Sequence, residues 1–155
     1  MQSANEGPPF AMTRLVDSDQ GSELEVPAGS VGQVYRSSER LLQVVIGDRV
    51  YLKFGSTGLF GSILLDPTTG RVLEAGKSMD SVSLVNTSLS HFIACLSSLV
   101  ERFPFYSSDS EDDEWESAAL GLESVVRQVD QEAYDEGSFW YEIRWSIASG
   151  DFAEE

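Results

Sequence analysis

Cysteine and histidine occur once each in this chain, as Cys95 and His91, and positive charge nearly disappears from its last third. A single cysteine excludes an internal disulfide and fits a reducing compartment. With one histidine and one cysteine, a zinc site would depend mostly on carboxylates, an uncommon ligand set. No run approaches the roughly 18 apolar residues of a membrane span. No N-terminal stretch joins basic residues to an apolar run in the manner of a secretory signal. A soluble, cytoplasmic protein is therefore expected, and the sequon Asn86-Thr87-Ser88 then has no route to glycosylation.

What the chain does have is acid. Between Glu101 and Glu155, 16 acidic residues are set against Arg102, Arg127 and Arg144, whereas residues 1–100 hold 10 acids and 7 bases. About −13 of the formal net charge of −16 thus sits in the last third. The densest stretch runs from Asp109 to Glu116 and places six carboxylates around Trp115. Such a distribution repels nucleic acid and anionic membrane and raises the field felt by a cationic protein. Disorder is not expected, because 41% hydrophobic and 10% aromatic residues are ordinary for a globular chain. A chain of 155 residues suits a single domain that buries roughly two-thirds of its unfolded surface.

Two periods divide the chain. Residues 1–38, rich in Gly, Pro, Ser and Asp, read as an irregular N-terminal arm packed on the domain, with Gly7-Pro8-Pro9 excluding regular structure. Short β-rich runs follow: Leu41 to Ile46, Val50 to Phe54, Phe60 to Leu65, Arg71 to Glu74 and Val82 to Val85, separated by turn residues. Connections this short allow only antiparallel neighbours. At Asn86 the period changes. Leu89, Phe92, Ile93, Leu96, Leu99, Val100 and Phe103 form one helical stripe that is capped by Asn86 to Ser88 and stopped before Pro104. Trp115, Ala118, Ala119, Leu122, Val125, Val126 and Val129 repeat the pattern, behind a first turn of Asp113, Glu114 and Glu116 that suits the helix dipole. A third helix is expected over about 137–149. The fold class is α+β: a central antiparallel sheet of four to six strands with helices packed on it, a helical C-terminal half, one domain over 39–150, and an acidic tail at 151–155.

Catalysis finds little support. His91 reads as a helix-surface or satisfied histidine, and Cys95, four positions on, as a small buried thiol lacking a third orienting group nearby in sequence. The acidic run fails the calcium-loop template, since Glu114 stands where the sharp turn needs glycine and Leu120 where the bidentate glutamate belongs. Gly55 to Gly61 joins two strands and lacks the Lys-Ser/Thr of a phosphate loop. No catalytic residue, metal or cofactor is expected.

Partner contacts are a different matter. The acidic run supplies candidates at Asp109, Glu111, Asp112, Asp113, Glu114, Trp115 and Glu116. Tyr141 and Trp145, four apart beside Glu142 and Arg144, add aromatics among charges, a composition enriched at protein interfaces. Packing of these two rings on the N-terminal arm is the alternative. Phe139, Trp140, Ile143 and Ile147 belong to the core.

The order of short motifs resembles the SUKH superfamily, specifically its fourth subfamily of polymorphic-toxin immunity proteins. The matching residues are Gly7-Pro8-Pro9, Val45-Ile46-Gly47, Leu64-Leu65-Asp66, Thr69-Gly70-Arg71-Val72, and Val85-Asn86-Thr87-Ser88-Leu89 with Phe92. The resemblance runs from about Gly7 to Ile147, and the insert from Asp109 to Glu116 falls outside the shared pattern. It implies one α+β domain without enzymatic activity that binds a cognate toxin, often a nuclease or nucleic-acid deaminase with a basic substrate surface. A non-toxin adaptor on the same scaffold is the alternative it leaves open.

Overall fold

The computed structural model describes residues 11–17, 21–31, 34–58, 61–76, 81–101, 112–135 and 138–148. Strands β1 (Met12–Asp17) and β2 (Ser22–Pro27) form an antiparallel hairpin. Strands β3 (Ser30–Val31), β4 (Tyr35–Ile46), β5 (Arg49–Thr57), β6 (Gly61–Leu65), β7 (Val72–Ala75) and β8 (Val82–Asn86) pair in chain order as a six-stranded antiparallel meander. Helices α1 (Leu89–Glu101), α2 (Asp112–Val129) and α3 (Phe139–Ala148) follow, with one turn of 3-10 helix at Gln131–Ala133. The α+β class, the antiparallel sheet and the helical second half all match expectation.

The N-terminal reading requires correction. Residues 12–17 and 22–27 are regular strands, and β4 runs across the boundary drawn at residue 38. Leu15 and Val26 point inward at 2% and 0% exposure and join the main core. Of the glycines in this arm, the described Gly21 and Gly29 lie outside the strands, and the Gly21 N–H donates to the Asp17 carbonyl at 2.7 Å. Averaging composition over the whole arm concealed the period-two alternation within it. Gly7-Pro8-Pro9 and the tail at 151–155 lie outside the described residues.

Helices and hairpin contribute to one apolar core together with the sheet residues Phe54, Ile63, Val72 and Val85. Its centre is a chain of rings: Tyr35 to Phe54 at 6.2 Å, Tyr35 to Phe92 at 5.5 Å, Phe54 to Phe92 at 5.9 Å, and Phe92 to Trp140 at 6.4 Å between centroids. Rings tilted or edge-on at such distances add favourable quadrupole contacts to their buried area. Gly55 makes room for this, since a Cβ there would lie 2.6 Å from a Tyr35 ring carbon. Tyr35 hydrogen-bonds the Pro27 carbonyl at 2.7 Å, which fastens the hairpin to the sheet. Leu64 and Leu73 alternate with Ile63 and Val72, so they point to the opposite face, where they cluster with Ile46, Tyr51 and Ala75. Among the described residues, no helix is long and apolar enough to cross a membrane.

Candidate partner-binding surface

Asn86 ends β8 and starts a buried polar junction that holds the helices to the sheet. Its Oδ1 accepts from Trp140 Nε1 at 2.9 Å, and its Nδ2 donates to Asp130 Oδ2 at 3.0 Å. Asp130, directly after α2, also accepts from the Thr87 N–H at 2.7 Å and from Thr87 Oγ1 at 2.9 Å. Because the Thr87 hydroxyl proton is committed to Asp130, its oxygen accepts from His91 Nδ1 at 3.0 Å. The His91 ring, 42% exposed, lies 3.4 Å from Asp130 Oδ2. Burial alone would raise the Asp130 carboxyl, but the Thr87 and Asn86 donors and the imidazole outweigh it and hold the group below the ordinary aspartate range. His91 is thus a hydrogen-bonded surface histidine, as its sequence position suggested.

Cys95 is fully buried, with Asn86 Nδ2 3.6 Å from its sulfur. Burial pushes its thiol up to about 12, against the Asn86 hydrogen bond and with the Asp130 charge adding to the rise. A thiol held in that form supplies no thiolate nucleophile. Among the described residues, no three histidine, cysteine or acidic side chains are arranged to hold a metal ion.

A second polar assembly faces outward between α2 and α3, and Arg144 is its centre. Arg144 is only 4% exposed although it carries a full charge. It grips Glu116 with two donors at 2.6 and 3.2 Å, and its Nε donates to Glu123 at 2.9 Å. The hydrogen bonds that Arg144 donates to Glu116 lead the effects that raise the guanidinium above its ordinary value. Glu123 also accepts from Arg127 Nε at 2.9 Å. Burial works against the Glu123 charge, but the two arginines outweigh it and lower the carboxyl.

Aromatic rings close this assembly into a circuit. The Arg127 guanidinium stacks over Tyr134 at 4.5 Å, Tyr134 meets Tyr141 at 5.9 Å, Tyr141 meets Trp145 at 6.3 Å, and Arg144 lies over Trp145 at 4.1 Å. Trp145 stays 46% exposed, and Leu120, between Glu116 and Glu123 on α2, stays 48% exposed. The result is a preset patch of interlocked charges and rings around Arg144, with Trp145 exposed on it.

Of the expected contact residues, Glu116, Tyr141 and Trp145 are brought together in this patch. Asp112, Asp113, Glu114 and Trp115 form the first turn of α2, and their side chains lie outside the described part of the structure. Asp109 and Glu111 lie outside the described residues. Tyr141 and Trp145 contact Tyr134, Arg144 and one another. Sequence reading did not find the roles of Arg144, Glu123 and Asp130. The available signal was one arginine inside the otherwise apolar-faced α3, which binds partners 21 and 28 positions earlier.

Among known proteins, the family model described as SUKH-4 immunity protein aligns with residues 23–145. No curated protein and no solved structure matches the chain.

Proposed function

Since the chain belongs to the SUKH-4 immunity protein family, we propose that it binds a cognate cytoplasmic toxin of the nuclease or deaminase type and neutralises it by covering the toxin's basic substrate surface. The observation that carries this reading is the patch centred on Arg144. Trp145 and Leu120 offer the exposed apolar anchors on which binding energy concentrates. The arginine–carboxylate and ring contacts already fix the anchors' surroundings, so less side-chain freedom is lost on association. Glu132, Asp135 and Glu142 stand exposed in the same helical half, where carboxylates speed the approach of a basic partner.

The decisive experiment is co-expression with the toxin domain encoded beside the gene. Cell survival and a co-purifying complex are expected with the wild-type chain. Undiminished killing with no complex would overturn the reading. Trp145→Ala is expected to weaken binding by about 2 kcal/mol, roughly thirtyfold in Kd, as for a central aromatic anchor. Isothermal titration against the catalytically dead toxin domain measures it.

A further inference from the structure

Beside the Arg144 patch, where the ends of β5 and β7 meet the start of α3, lies a cleft of about 190 Å³ lined by Thr57, Glu74, Ser138, Phe139, Glu142 and Ile143. That volume would hold roughly six waters at liquid density. Glu74 reaches into it from β7, next to Gly61, where an added Cβ would lie 3.5 Å from the Glu74 Oε2. Glu142, exposed on α3, stands at the opening, three positions from Trp145 and therefore on a neighbouring part of the helix surface.

Glu74 differs from the other partly buried carboxylates of known surroundings. Asp66 holds Arg49 at 2.6 Å, Glu116 and Glu123 hold Arg144, and Asp130 has three donors. Among the described residues Glu74 has neither a hydrogen-bond donor nor an ion-pair partner, and it is only half exposed to water at best. Burial accordingly holds its carboxyl above the ordinary glutamate range. A carboxylate kept partly out of water without a partner costs stability, which a cation entering the cleft would recover. A divalent metal ion would want six or more oxygen ligands, more than the two carboxylates here provide. One ammonium or guanidinium group needs only a counter-charge and a few acceptors, and Glu142 adds a second carboxylate to the lining that holds Glu74.

We propose that this cleft receives a single lysine or arginine side chain of the bound toxin, with Glu74 as its counter-ion and Phe139 and Ile143 against its aliphatic stem. The inference rests on the immunity reading for the identity of the partner, but not for the chemistry of the cleft. The test uses the whole chain and defined probes: N-acetyl-arginine amide and N-acetyl-lysine amide, with N-acetyl-norleucine amide as the uncharged control. In NMR titrations of uniformly isotope-labelled protein at neutral pH, at least one cationic probe is expected to shift the Glu74 carboxyl and the backbone signals of Gly61 and Ile143 saturably in the millimolar range. The control should leave them in place, and Glu74→Gln should weaken the effect at least tenfold. Shifts of equal size spread over the exposed carboxylates away from the cleft, Glu25, Glu132 and Asp135, or shifts that persist in Glu74→Gln, would overturn the proposal. Glu74→Gln should also raise Tm at neutral pH, since the amide removes an unpartnered charge; a lowered Tm would mark Glu74 as a structural group and count against a receptor role. Failure of the co-expression experiment would remove the toxin while leaving the probe titration intact, so the two readings fail separately.

Discussion

Asp130 shows how one carboxylate can decide whether two layers stay joined. Its oxygens take three donors from Asn86 and Thr87, and Asn86 in turn takes the Trp140 indole. Asp130→Asn would turn an amide donor toward at least one of those donors, leaving a buried N–H or O–H without a partner. The expected loss is about 2 kcal/mol at neutral pH, measured by urea unfolding. Because the folded protein holds this carboxyl below its unfolded value, the ionised group stabilises the fold at pH values above the ordinary aspartate range. That contribution fades as pH falls through the folded value. The stability gap between wild type and Asp130→Asn should therefore narrow in acid, and a gap independent of pH would contradict the assigned role. Arg144 offers the complementary case. Arg144→Lys keeps the charge but loses the fork that spans Glu116 and Glu123. A cost of about 1–3 kcal/mol is expected, below that of a fully buried pair because Glu116 remains 45% exposed. Circular dichroism of unfolding checks stability, and near-ultraviolet dichroism of Trp145 reports whether the ring circuit persists. Neither role was legible in sequence, because each depends on residues 21 to 44 positions apart.

At the scale of elements, legibility follows the range of the forces that make each one. The stripe from Leu89 to Leu99 is local, so α1 was readable, and Phe92, Cys95, Leu96 and Leu99 are its buried face. Its cap was readable too: Ser88 Oγ accepts from the His91 N–H at 3.1 Å, the three-residue reach of an N-cap. Ser88→Ala should cost about 1 kcal/mol, with hydrogen exchange of His91 and its neighbours accelerated ahead of the rest of the domain. Uniform acceleration would assign the loss to something other than the cap. The meander was legible because short connections permit only antiparallel neighbours, and the chain-order pairing of β3 to β8 follows from that restriction. The β1–β2 hairpin escaped for the opposite reason. Only Leu15 and Val26 of its strands become fully buried hydrophobics, and two such residues leave a weak periodic signal until the sheet supplies their neighbours. Tyr35, whose hydroxyl reaches Pro27, is the residue that makes the hairpin part of the domain.

For the whole molecule, the question is why the charge is divided so unevenly between a near-neutral first two-thirds and a last third at about −13. The sheet must pair strands and stack rings, tasks that surplus charge would oppose. If the helical half meets the partner, as proposed, the surplus has a kinetic use there. Internal pairing tempers it: Glu116 and Glu123 are held by Arg144 and Arg127, so part of the acid builds the patch while Glu132, Asp135 and Glu142 remain exposed. This division makes opposite demands on two sets of substitutions. Neutralising Asp112, Asp113 and Glu114 to Asn and Gln should slow association with the proposed basic toxin domain and flatten its salt dependence, with little change in dissociation. Glu116→Gln should instead loosen the grip on Arg144, lower stability and speed dissociation. For the wild type, stopped-flow association should fall roughly tenfold or more from low salt to several hundred millimolar, as surface charges become screened beyond a few ångströms. If the triple substitution leaves the low-salt association rate unchanged, the first turn of α2 points away from the partner and the Arg144 patch must bind without electrostatic guidance from that turn.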